Sequence, residues 1–159
     1  MTDSRDNDQL LKDLLSRVET LEREAPGNQL TLGVVSGDLE KTMLAFMIAL
    51  GATAFDMEVD LFFALRATAA LRDPKKAKPA KPDLEPSPIR FDLKKHGAMS
   101  LDQLIELAGE SGIRITVCNL SLDLMEIRHE ELIDYPNLTF AGVAALIEMA
   151  SRSKQCLFL

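Results

Sequence analysis

Three short runs constrain this chain more than any other feature: residues 30–36 (LTLGVVS), 57–65 (MEVDLFFAL) and 113–118 (IRITVC). The first is apolar enough to be a strand buried on both faces, and the second ends in a continuous apolar stretch, as strands between helix layers do. The third alternates with β-branched residues and passes into helical period after Cys118. Gly37-Asp38 turns the chain after the first run, with Asp38 the expected N-cap of a helix over 39–54. Strand, helix, strand in that order requires a right-handed crossover and a parallel pair.

The rest of the chain continues the alternation. Residues 66–72 have helical character and end at Asp73-Pro74. Ser100 and Gln103 carry the spacing of a capping box that opens a helix to about Ala108, which Gly109 to Gly112 end. A helix is expected over 120–127, continuing through Leu132 before Pro136 breaks it. Residues 138–140 are a short extended piece, 141–151 are helical, and 155–159 (QCLFL) form a last strand with a buried C-terminus. The fold class expected is α/β: a three-layer α/β/α sandwich with a mostly parallel sheet of about five strands.

Ahead of this domain, residues 1–9 are polar and expected to be disordered. From Leu10 to Glu24, the residues Leu11, Leu14, Val18 and Leu21 follow a 3-4-3 spacing, and Leu10 and Leu15 widen the stripe. So short a helix is marginal alone in water, and it must pack on its own domain or on another subunit. Contact between subunits is the expectation, so residues 1–28 read as a disordered start plus an oligomerisation helix. Residues 29–159 read as the α/β domain. Within it, residues 73–90 are rich in Pro and Lys and cannot be the interior of a helix or strand. They read as a solvated loop, with a lid over the strand ends or a docking segment for an acidic partner as alternatives.

Composition narrows the function classes. With 159 residues and 47% hydrophobic content the chain can bury a core, and a net charge of −7 argues against a nucleic-acid partner. The longest apolar run, 43–55, contains Gly51 and Thr53 and is shorter than the ~20 residues of an integral membrane segment. The polar start shows no secretory leader, and two cysteines are not a secreted disulfide framework, so a cytoplasmic location is expected.

Few residues offer chemistry. Residues 37–42 (GDLEKT) open a helix after a strand, but Lys41 follows Glu40 rather than Gly, and two carboxylates would repel a phosphate. His129-Glu130 begins like a zinc-binding helix, yet position 133 is Ile and the only other histidine is His96. Ser36 and Ser121 lie near strand ends without support for a triad. Hence no cofactor and no metal is expected. Cys118 alone sits where a buried strand hands over to a helix. There the first-turn amides and the helix dipole stabilise a thiolate, while Asp123 and Glu126 oppose it. A buried structural cysteine is the competing reading, and Cys156, inside an apolar terminal strand, reads as core.

The segments VSGDLEK (35–41), MEVDLFF (57–63), CNLSLDLM (118–125), EELID (130–134) and AGVA (141–144) together resemble the DsrE/DsrF/DsrH-like superfamily, nearest its DsrE-like (peroxiredoxin-like) branch. The resemblance spans roughly residues 30–159, and its most specific piece is C-x-x-S-x-D-L-M followed by E-E-L-I-D. Where that branch has a Met- and Gly-rich segment after its second strand, this chain is rich in Pro and Lys. The resemblance implies an α/β/α fold, a homo-oligomer and a cysteine that carries a persulfide between sulfur donor and acceptor proteins. Carried onto this chain, the sulfur carrier is Cys118; helix geometry, rather than the resemblance, offers the Leu120 and Ser121 amides at the helix start to steady the anion, with the Asn119 and Ser121 side chains to assist. The function expected is a sulfurtransferase-like sulfur relay; the alternative is a non-catalytic oligomeric adaptor of the same fold. A thiol peroxidase lacks its T-x-x-C arrangement, because the residue three before Cys118 is Ile115.

Overall fold

The structure, a computed structural model, describes residues 3–77 and 92–159. Most of the Pro/Lys-rich stretch over 73–90 therefore lies outside the described residues. Helix α1 (Asp3–Glu24) leads through Ala25 and Pro26 into β1 (Gly27–Val34), followed by α2 (Leu39–Thr53) and β2 (Glu58–Phe63). A 3-10 turn over Leu65–Leu71 follows. Then come α3 (Leu101–Glu110), β3 (Arg114–Cys118), α4 (Asn119–Leu124), a second 3-10 turn (His129–Glu131), β4 (Leu138–Ala141), α5 (Val143–Arg152) and β5 (Ser153–Phe158).

The five strands form one sheet in the order β4-β3-β2-β1-β5, and every neighbouring pair is parallel. Three successive crossovers step the sheet from β1 to β4 in one direction, and the last returns past all of them to β5. Crossovers of one hand then put α2 and α3 on one face and α5 on the other. Leu30, Leu32, Val34, Val59, Leu61, Phe63, Ile115 and Val117 point to the first face. They close the main core with Phe46 and Ala49 of α2 and with Leu104 and Ala108 of α3. The α/β sandwich read from the alternation of elements is the fold observed.

Local signals account for the element ends. The Asp38 carboxylate accepts the amides of Glu40 (2.8 Å) and Lys41 (3.1 Å) and caps α2. Ser100 and Gln103 form the reciprocal capping box at α3. Helix α4 is shorter than the expected 120–127 and does not run on through Leu132. Glu126 adopts a left-handed φ of 52°, the Glu126 amide donates to Asp123, and the Ile127 amide donates to Leu122. This is a Schellman stop, with Leu122 and Ile127 both buried in the main core.

Two further expectations are corrected. The first helix begins at Asp3 rather than Leu10, so residues 3–9 are helical and not disordered; the acidic residues at 3, 6 and 8 suit a helix N-terminus. The terminal strand pairs with β1 as a sheet edge and is buried only in part: Leu159 packs against the main core and its backbone bonds Gly33, Val35 and Ser36, whereas Leu157 and Phe158 are exposed. At Gly33 the ring of Phe158 lies over the backbone: a Cβ there would sit 2.5 Å from ring atoms, so a larger residue would displace that exposed ring.

Candidate functional site

Because side chains of paired residues in a sheet share a face, the register lays out the α5 side in rows. The lowest row runs Arg114, Asp60, Thr31, Cys156, and the next runs Thr139, Thr116, Phe62, Gly33, Phe158. Cys118 stands above them beside Ala141, at the carboxyl ends of the strands. That edge is where open α/β sheets bind ligands.

Cys118 is both the last residue of β3 and the N-cap of α4. Its side chain makes no cap hydrogen bond. The thiol packs in a small second cluster with Phe62 and Leu146, flanked by Ala64, Ala145 and Met149. Only 5% of the residue is exposed. The three residues expected to assist it lie together in the first turn of α4, where helix geometry leaves amides without internal carbonyl partners. Asn119 and Leu120 are exposed, and Ser121 is buried. On α4 and α5, the helices that carry Asn119 and Leu146, the side chains of Leu120, Val143 and Ile147 are apolar and exposed to solvent.

Cys156 faces the same side of the sheet, three strands away and two rows lower. Three strand spacings alone are about 14 Å, beyond the ~7 Å Cα separation that a disulfide tolerates. Both thiols are free, and burial pushes the Cys156 thiol above its ordinary pKa. Cys156 is half-buried on an edge strand rather than plain core.

The other sequence candidates resolve into structure. The Asp38 carboxylate occupies amides at the start of α2 that a phosphate would need. His129 stacks on Phe140 with ring centroids 4.1 Å apart, while His96 lies in an exposed turn. Among the described residues, no group of three or more His, Cys, Asp and Glu is placed to hold a metal. No helix among them is long and apolar enough to cross a membrane.

Sequence reasoning missed a charged cluster below Cys118, at the amino ends of the strands. Arg114 donates to both carboxylate oxygens of Asp60 (2.6 and 2.9 Å) and to Glu58 (3.0 Å), and Gln29 donates to Asp60 as well. The hydrogen bonds that Asp60 accepts hold the Arg114 guanidinium more firmly protonated than usual. These residues line a cleft of about 590 Å³ with Thr116, Met149 and Arg152. A carboxylate inside the apolar run of β2 was the available signal, since a buried charge requires a partner.

The model of the DsrE/DsrF/DrsH-like family matches residues 27–91 and 85–158. The chain belongs to this family. It is 32% identical to the uncharacterized protein YrkE of Bacillus subtilis (strain 168), across 81% of this chain and 95% of YrkE. It is 25% identical to the sulfur carrier protein DsrE2 of Allochromatium vinosum, across 82% of this chain and 98% of that protein. Two solved structures share the fold. The ychN protein of E. coli has a TM-score of 0.53 at 15% identity, covering 82% of this chain and 99% of its own. Protein MTH1491 of Methanobacterium thermoautotrophicum has a TM-score of 0.58 at 9% identity, covering 81% and 97%. The sheet and its flanking helices are thus those of the DsrE-like fold, and α1 precedes the region that the family model matches.

Proposed function

We propose that this DsrE-like protein is a sulfur carrier whose carrying residue is Cys118. The observation that carries the reading is the position of the thiol: the carboxyl end of a central strand, capping a helix, in a family that includes the sulfur carrier protein DsrE2. The Cys118 thiolate attacks the outer sulfur of a donor persulfide. The donor S–S bond breaks, its inner sulfur leaves as a thiolate, and Cys118 holds the persulfide. An acceptor thiolate then attacks that outer sulfur and releases the Cys118 thiolate, so each exchange is redox-neutral. The first-turn amides of Leu120 and Ser121 steady the anion, and the exposed Asn119 side chain assists. Donor and acceptor are partner proteins that dock on α4 and α5, where Leu120, Val143 and Ile147 are exposed. Leu146 packs against the thiol, so exchange begins when α5 yields enough to uncover it.

One observation favours a second reading. A cysteine 5% exposed and packed against Phe62 and Leu146 also suits a non-catalytic adaptor module with an inert core thiol. Transfer of labelled sulfane sulfur from a loaded protein to a small thiol separates the two. The carrier reading requires transfer that Cys118→Ser abolishes and Cys156→Ser preserves. An equal yield from Cys118→Ser and the parent protein rejects it.

A further inference from the structure

Helix α1 displays an apolar stripe that nothing in its own domain covers. Leu10, Leu11, Leu14, Leu15, Val18 and Leu21 are each 45–67% exposed, and every residue from Asn7 to Glu24 faces solvent. A contiguous stripe of this kind on a soluble protein marks a contact surface. Only Ala25 and Pro26 join the helix to β1. Its polar face is rich in Asp and Glu, unlike the basic face of helices that lie on anionic membranes.

The charges choose the occupant and its direction. With Leu11 and Val18 at heptad positions a, and Leu14 and Leu21 at d, position g holds Leu10, Arg17 and Glu24, and position e holds Asp8, Leu15 and Glu22. Parallel, in-register helices bring each g beside the e five residues further along the other helix. Leu10 then meets Leu15 of the second copy, and Arg17 meets Glu22 of the second copy. Asp3 and Asp8 repel, but they lie outside the two apolar heptads. An antiparallel pair that matches Leu11 with Leu21 would instead set Arg17 against Arg17 and Leu10 against Glu24. In the single chain, Arg17 pairs with Asp13 one turn away at 4.0 Å, both side chains largely exposed, so it is available to a partner at little cost.

We propose that α1 pairs in parallel and in register with α1 of a second copy of this chain. Leucine at d with a β-branched residue among the a positions favours two strands. The pairing buries the stripe and sets two DsrE-like domains side by side at one end of a short coiled coil.

Sedimentation of the full-length protein against Val18→Lys tests the pairing, with circular dichroism confirming that the domain stays folded. The parent is expected to sediment at twice the mass of the variant; equal masses overturn the proposal. Direction is tested by single cysteines in a Cys118→Ser, Cys156→Ser background. Leu21→Cys is expected to form a symmetric disulfide under mild oxidation, and Ser16→Cys, at the outward f position, is not. Equal cross-linking of both overturns the parallel register. Arg17→Glu is expected to weaken association about tenfold and Arg17→Glu with Glu22→Arg to restore it; failure of the double variant to recover counts against the pairing of these two residues.

Discussion

Asp60 and Arg114 are register partners on β2 and β3, joined by two hydrogen bonds of 2.6 and 2.9 Å, yet the two side chains differ in exposure: 7% for Asp60 and 43% for Arg114. The pair is therefore asymmetric. Removing Asp60 leaves a guanidinium that Glu58 and water still serve, whereas removing Arg114 strands a buried carboxylate with Gln29. Arg114→Ala is expected to cost about 3 kcal/mol in urea unfolding and Asp60→Ala about 1 kcal/mol. Equal costs would show that the buried carboxylate is stabilised by other means.

Leu146 of α5 is buried in one cluster with Cys118, which makes α5 the element to test for control of access to the thiol. Leu146 contacts the same cluster as the thiol, and its neighbours Val143 and Ile147 already face solvent. Leu146→Ala is expected to lower stability by about 2–3 kcal/mol and to speed alkylation of Cys118 in the folded protein. The rate is followed by mass spectrometry of the tryptic peptide spanning 115–128. A rate unchanged by the substitution would mean that Leu146 does not control access.

The chain has a single tyrosine, which makes its titration easy to follow. Tyr135 donates to the carbonyl of Ile113 at 2.8 Å, and burial pushes its pKa up from 10.0 to about 12. The folded state thus holds the proton more tightly than the unfolded state. Its contribution to stability is complete below pH 10 and is lost as pH rises through about 12. Ultraviolet difference titration should place the folded midpoint well above that of the urea-unfolded chain, and coincident midpoints would contradict the burial argument.

The parts of this structure legible in the sequence were local. Asp38 and Ser100 announced their helices because a cap is a relation between residues two or three apart. The apolar runs announced parallel strands because burial on both faces leaves no polar alternation. Edge and centre were not legible: QCLFL is as apolar as a central strand, and only the crossover that carries β5 past β1 makes it an edge. The stop after α4 depends on left-handed Glu126, a residue type that rarely announces that conformation. Asp60 signalled that a partner must exist, while naming Arg114 required the register of β2 and β3. For the site, the position of Cys118 was readable, but its cover was not, since Leu146 lies 28 residues away on the opposite layer.

The most direct measurement loads the protein with a persulfide donor, digests it with trypsin under non-reducing conditions and weighs two peptides. Cleavage after Arg114, Arg128 and Lys154 isolates Cys118 in residues 115–128 and Cys156 in residues 155–159. The sulfur-carrier account predicts the mass of one added sulfur atom on the 115–128 peptide, absent in Cys118→Ser and independent of Cys156→Ser. Sulfur found only on the 155–159 peptide, or on neither, would contradict it.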